Sequence, residues 1–255
     1  MAANKAVIKT LKILELISKS DEGLTLSEIY KEADIPKATA YDILQALYSE
    51  DAVYYKNEIL KTYVIGSKLF TIGQSYMKNS NFISYASPLL KDFATKYKVT
   101  TFACKRLGTK VTYVYKYESN KVRLVTSDIG TQLPLYQSVA GLAFLAFLPE
   151  DKSLELLEGI LVKDFNGRKT KEYQTIVARV KEYRTQKYIY DNGSIDRYIC
   201  ELAAPVYNFE NKVTGVISAT RLIFECEIEA DVEKDYISEF LKIAETISHK
   251  QGYKN

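Results

Sequence analysis

Apolar residues return every three or four positions over residues 4–18. Val7, Leu11, Leu14 and Ile17 share one side, which predicts an amphipathic helix with that stripe inward. A polar loop over 19–24 follows, with Gly23 as a helix stop. Thr25-Leu26-Ser27-Glu28 then has the Thr-x-x-Glu form of a capping box, in which the two outer side chains satisfy the free amides of a new helix. That helix buries Leu26, Ile29 and Ala33. Asp34 and Ile35 turn the chain, and Pro36 can open a second helix because the first helical position needs no backbone N–H. The second helix buries Ala40, Ile43, Leu44 and Leu47, leaving Lys37, Ala38, Thr39, Tyr41, Asp42 and Gln45 outward. The period changes to two at Val53 and Tyr55, and again at Tyr63 and Ile65, predicting strands around a turn at Lys56-Asn57-Glu58. Two linked helices, the second with a small polar outer face, followed by a hairpin, read as a winged helix-turn-helix whose second helix enters a DNA major groove.

Beyond this head, Leu69, Ile72, Gly73 and Tyr76 keep a helical spacing over 67–77, and the polar stretch 78–81 marks the main boundary. The expected organisation is a winged helix-turn-helix DNA-binding domain over 1–66, a linker helix over 67–78 and an effector-binding α+β domain over 79–255. Apolar residues left exposed on the linker helix favour pairing of two chains there. In the last segment, helices are expected over 82–98, 138–148, 154–161, 172–186 and 231–249. Strands are expected over 100–107, 111–117, 122–127, 199–207 and 212–220. Gly108-Thr109-Lys110 is a hairpin signal, so the sheet should be antiparallel with helices packed on it.

The 255 residues, 47% apolar and 26% charged, suffice for two cores. Charged residues interrupt each apolar run near the start, so neither a signal peptide nor a membrane span is expected, and the default location is cytoplasmic. Cys104, Cys200 and Cys226 fit neither a disulfide framework nor a zinc site, and are expected to be reduced, half-buried thiols. The formal charge of +3 says little about nucleic acid. Within residues 1–66, eight lysines face ten acids, a net of −2, where a DNA-binding domain usually carries a basic balance. Distribution offsets this: Lys5, Lys9 and Lys12 fall on one helical stripe, while Lys37, Lys56 and Lys61 stand where groove and backbone would be met. The expectation is modest affinity per head, raised when two heads pair on a palindromic site. The only histidine is His249, which removes the usual Ser-His and Cys-His nucleophiles. With no phosphate-binding loop, HExxH or dinucleotide fingerprint either, no catalysis, cofactor or metal is expected.

One stretch of the second domain carries candidate binding chemistry. Ser138 reads as a helix N-cap, and the amides of Val139 and Ala140 would point out of that helix end, either toward an anion or in simple capping. Asp191-Asn192-Gly193 reads as a turn, where an Asp usually bonds its own backbone. Ser218 and Thr220 share one strand face, as do Glu201 and Ala203. Inward hydroxyls there serve a polar ligand or merely satisfy neighbouring backbone groups.

Several stretches together resemble the IclR family of bacterial transcription regulators: Leu24-Thr25-Leu26-Ser27-Glu28-Ile29 and Ile35-Pro36-Lys37-Ala38-Thr39-Ala40-Tyr41 in the head, then the run from Gln132 to Ala143 with Leu145-Ala146-Phe147-Leu148-Pro149, Leu202-Ala203-Ala204-Pro205-Val206, and Gly215-Val216-Ile217-Ser218-Ala219-Thr220. The resemblance implies a GAF-like effector domain, homodimers or homotetramers, and operator binding tuned by a small molecule, most simply by a repressor. It implies DNA contacts at Lys37, Ala38, Thr39 and Tyr41, with Lys56 on the wing. It also implies an effector, a small organic acid or sugar derivative, held by the amides of Val139 and Ala140 beside Ser138 and by Asp191, Glu201, Ser218 and Thr220. Glu201 departs from the family, which commonly has cysteine or another small group there. Its carboxylate either meets a ligand rich in donors or is paired with Arg197, Arg221 or Arg106, and pairing is slightly favoured. Asp42 departs too, since an acid facing DNA repels phosphate. Two readings from other classes stay open: a protein-interaction module that docks through the winged head, and carboxylate chemistry by Asp191 and Glu201.

Overall fold

The computed structural model describes residues 4–78, 81–119, 127–223 and 230–254. The chain divides into two compact units, residues 1–79 and 80–255.

In the first unit, helix α1 spans Lys5–Ile17, strand β1 Leu24–Thr25, helix α2 Leu26–Glu32 and helix α3 Lys37–Ser49. The capping box forms as expected: Thr25 Oγ1 accepts from the Glu28 amide, and the Glu28 carboxylate accepts from the Thr25 amide at 2.7 Å. Pro36 stands just before α3 with no side-chain cap, and its carbonyl takes the first intrahelical bond, from Ala40. Strands β2, Val53–Asn57, and β3, Thr62–Ile65, complete a small antiparallel sheet in the order β1-β3-β2. The hairpin therefore turns at residues 58–61, later than the expected Lys56-Asn57-Glu58. Asn57 Oδ1 fixes it by accepting the amides of Ile59 and Leu60, both at 2.9 Å. Helix α4, Ser67–Lys78, closes the unit.

The core joins Ile13, Ile17, Ile29, Ala33, Ala40, Leu44, Val53 and Tyr63. This corrects the expected inward face of α1. Ile13 and Ile17 are buried, whereas Val7 and Leu11 are more than half exposed. The apolar stripe on α1 is wider than the surface that the short α2 and the hairpin offer to it, so packing accepts only its C-terminal part. Phe70 and Ile72 on α4 are likewise exposed.

In the second unit, helix α5 spans Asn81–Tyr97, followed by β4, Thr100–Leu107, and β5, Lys110–Glu118. The strand expected over 122–127 falls on residues 120–126, outside the described residues, save for Ser127. Next come β6, Gln132–Pro134, and a 3₁₀ turn, Leu135–Gln137. Helices α6, Val139–Phe147, α7, Glu150–Asp164, and α8, Lys171–Arg184, follow in succession. Then β7, Ile189–Asn192, β8, Ile199–Tyr207, and β9, Val213–Leu222, lead to α9, Ala230–Lys250. Strands β6 and β7 were not expected; both are short edge strands at opposite ends of the sheet, too brief to show a period.

The sheet runs β6-β5-β4-β9-β8-β7, antiparallel throughout. Its faces carry different cores, because alternate residues point to opposite sides. Phe102, Cys104, Ala203 and Val216 join α6, α7 and α8 on one face. Ala103, Leu202, Ala204, Ile217 and Ala219 join α5 and α9 on the other. Helix α6 is apolar on all sides because sheet and helices enclose it, and its residues from Val139 to Ala146 are all buried. Gly141 is required there: a Cβ would lie 2.2 Å from the Leu135 carbonyl oxygen of the preceding turn. This contact sets the entry into α6, and with it the helix end described below. Cys104 is a free, buried thiol, while Cys200 is held in a disulfide, against the expectation of reduced thiols throughout. Cys226 lies outside the described residues.

Candidate functional site

Strand register builds the site. Glu201 on β8 lies opposite Asp191 on β7 and opposite Thr220 on β9; Thr220 in turn pairs with Thr100 on β4. Ser218 is one step along the same face, opposite Ala203 and Phe102. The N-terminus of α6 comes down onto this row. Together they enclose a cavity of about 190 Å³, lined by Ser138, Val139, Asp191, Glu201 and Thr220 with Phe102, Tyr113, Ser127, Leu133, Gln137, Ile195, Asp196 and Ile199. Five of the seven residues named for effector contact thus line one cavity. The other two, Ala140 and Ser218, approach it through Glu201.

Glu201 is 7% exposed and Asp191 3%. Burial and the nearby Asp191 push the Glu201 carboxyl up to about 7. The Ala140 amide, directed at the carboxylate, and the adjacent Ser218 hydroxyl pull the other way. Ser218 Oγ lies beside Glu201 without reaching the geometry of a formed bond, and among the described residues it is a buried hydroxyl with no formed hydrogen bond. The expected pairing of Glu201 with Arg197, Arg221 or Arg106 does not occur. Arg221 follows Thr220, so it projects to the opposite face, where it bonds Tyr190 Oη at 3.0 Å and stacks on Tyr236. Arg197 meets Tyr198, and Arg106 the Gly108 carbonyl.

Asp191 does what its turn sequence alone indicated. Its carboxylate accepts the amides of Ser194 and Ile195, both at 3.1 Å, and the Ser194 hydroxyl. Ser138 caps α6 by accepting from the Gly141 amide at 3.1 Å. Tyr113, at the opposite wall, has its hydroxyl against Ser138 and Ser127 and is raised by burial and by Glu201. Among the described residues no group of three or more His, Cys, Asp and Glu side chains could hold a metal.

On the first unit, Lys37, Ala38 and Tyr41 are exposed on α3, Thr39 is half-buried, and Asp42 shares the open side. Two of the lysines noted in the head, Lys56 expected at phosphate and Lys12 on the basic stripe of α1, are already engaged. Lys56 Nζ bonds the Glu22 carboxylate at 2.9 Å and the Asp21 carbonyl at 2.7 Å, and Lys12 Nζ bonds the Ala33 carbonyl at the end of α2. The hairpin tip, which lacks periodicity and drew no attention in the sequence, exposes Ile59 and Leu60 beside Lys61.

A helix-turn-helix with a hairpin, joined in one chain to an α+β unit that encloses a polar cavity, defines a DNA-binding transcription regulator. The family is equally clear. Residues 6–56 match the IclR helix-turn-helix domain, and residues 74–249 match the C-terminal domain of bacterial IclR transcriptional regulators. The chain belongs to the IclR family, whose members are transcriptional regulators rather than enzymes. It is 28% identical over 260 residues to an uncharacterized HTH-type transcriptional regulator of Haemophilus influenzae, covering 99% of this chain and 94% of that one. It is 22% identical to the HTH-type transcriptional repressor AllR of Escherichia coli, covering 91% and 88%. An IclR regulator from Alicyclobacillus acidocaldarius shares its fold, with a TM-score of 0.80 at 24% identity over 98% of this chain and all of that one. So does an IclR homologue from Microbacterium hydrocarbonoxydans, solved with 4-hydroxybenzoate, with a TM-score of 0.78 at 16% identity, covering 97% and 99%. No helix among the described residues is long and apolar enough to cross a membrane.

Proposed function

We propose that this regulator is a repressor whose operator binding is tuned by a small molecule held in the cavity at the N-terminus of α6. The observation that carries the reading is the cavity itself. A buried polar floor of Glu201, Thr220 and Ser218 under a helix end costs folding energy, and a core without a ligand would do better with apolar side chains. The name of the Escherichia coli relative, a repressor, and the 4-hydroxybenzoate complex of a structural neighbour support the same direction.

The domains in this reading are a DNA-binding head over 1–66, a linker helix over 67–78 and an effector domain over 79–255. On the DNA side, Lys37, Ala38, Thr39 and Tyr41 form the face that enters the major groove. Lys37 and Tyr41 offer the longest polar reach, with Thr39 bonding phosphate or base. Lys56 reaches phosphate only by exchanging its Glu22 partner, so its contribution is small. The exposed apolar residues of α1 and α4, Val7, Leu11, Phe70 and Ile72, support pairing of two chains, whose two heads would read an inverted repeat.

Selection from random duplexes tests the DNA half: an enriched inverted repeat is expected, and enrichment of unrelated sequences refutes it. With that operator in hand, mobility shift in the presence of small metabolites tests the effector half. Release by a compound that also raises the melting temperature of the isolated protein is expected. Indifference to every compound, with melting unchanged, refutes it.

A further inference from the structure

Among the described residues, the lining of the α6 cavity includes three carboxylates, Asp191, Asp196 and Glu201, and no lysine, arginine or histidine. Two of the three are committed. Asp191 holds the turn after β7 through Ser194 and Ile195, and Asp196 accepts the Tyr198 amide at 3.0 Å. Glu201 faces the cavity with no cation beside it among the described residues. The donors directed at it are the Ser218 hydroxyl and the Ala140 amide, the latter part of the helix end that would otherwise be open to an incoming anion. The protein's own carboxylate therefore already sits where a ligand carboxylate would go. A second anion would have to share that helix end with Glu201, with Asp191 close behind and no cationic side chain in the described lining to offset the added charge.

We infer that the cavity takes a small ligand presenting hydrogen-bond donors to Glu201, a polyol or a primary amine, and excludes simple carboxylates. This rests on the reading of the cavity as an effector site. A hydroxylated ligand meets Glu201 in either protonation state. An amine stabilises the ionised form, so its binding at neutral pH expels the proton from the fraction of the buried carboxyl that is still protonated.

The test uses the full-length protein and three probes built on one three-carbon skeleton: glycerol, 2-amino-1,3-propanediol and glycerate. Calorimetry at pH 7 in two buffers of different ionisation enthalpy should show glycerol or the aminodiol binding at least about tenfold more tightly than glycerate. Proton release identifies the amine as the better match, and its absence the polyol. In Glu201→Ser the α6 amides are freed, and the order should reverse, with glycerate gaining at least about tenfold. Glu201→Gln keeps the shape of the side chain and should lose the aminodiol while retaining most of the glycerol affinity. Tighter glycerate binding by the wild type, unchanged in both variants, overturns the inference and leaves the effector reading standing. If none of the three forms binds any probe, the inference falls, and the metabolite mobility-shift and melting screen decides the effector reading separately.

Discussion

Replacing Glu201 by glutamine isolates the energetic consequence of burying an acid without a cation. The ordinary value for the carboxyl is 4.5, and in the fold it is pushed up to about 7 by burial and by Asp191. Below pH 4.5 the group is protonated in both folded and unfolded chains and has no effect on their balance. As pH rises from 4.5 toward 7 the unfolded chain releases its proton first, so wild-type stability falls; above 7 both states are ionised and the loss is complete. The gap corresponds to about 3 kcal/mol at full effect, with roughly 2–3 kcal/mol of it falling between pH 5 and pH 8. Glutamine keeps an oxygen for the Ala140 amide and never ionises. Urea denaturation of wild type and Glu201→Gln at pH 5 and pH 8, following the transition of the larger unit, should therefore show the variant gaining on the wild type at the higher pH. In melting temperature the relative gain is on the order of 5–10 °C. Parallel pH profiles for the two proteins would refute the argument, because they would mean that Glu201 is ionised at its ordinary value and has a counter-charge or water that offsets its burial.

Three further outcomes follow from the same geometry. Lys37→Ala should weaken operator binding and lower the salt-dependence slope by about one, whereas Lys56→Ala, whose ammonium is held by Glu22 and Asp21, should leave the slope unchanged in the same anisotropy titration. Gly141→Ala forces a methyl against the Leu135 carbonyl and should cost at least about 2 kcal/mol in denaturant melts of the second unit. Thr25→Ala removes one half of the capping box and should cost about 1 kcal/mol in the first unit, with little effect on the second.

Much of the first unit could be read from local sequence because its decisive interactions span few residues. The Thr25–Glu28 box, the start of α3 after Pro36 and the burial of Ile29, Ala40 and Leu44 all depend on spacings within one or two helical turns. Where the reading failed, packing or a particular side-chain bond overrode the periodic pattern. Val7 and Leu11 satisfy the helical period, yet α1 meets a surface too small to cover them. Lys56 looked free, but Glu22 lies 34 residues away in sequence and next to it in space. The hairpin turned later than expected because the Asn57 side chain, not its position in an alternating pattern, decided the turn.

The cavity divides in the same way. Ser138 as a cap and Asp191 as a turn-former are local properties, and the chain order alone determined them: each bonds amides within four residues of itself. The fate of Glu201 is different. Residue types placed an acid on the same strand face as Ala203, but left two options, an arginine partner or a donor-bearing ligand. Register removed one of the candidate arginines, Arg221. Arg221 follows Thr220 on β9, and since strand side chains alternate, aligning Thr220 with Glu201 sends Arg221 through the sheet to Tyr236. Sequence determined the two units, their helices and the kind of groups the second unit carries. Only the tertiary structure, by fixing which strand faces which and where α6 begins, turned those groups into a buried carboxylate at a helix N-terminus with no cationic partner among the described residues.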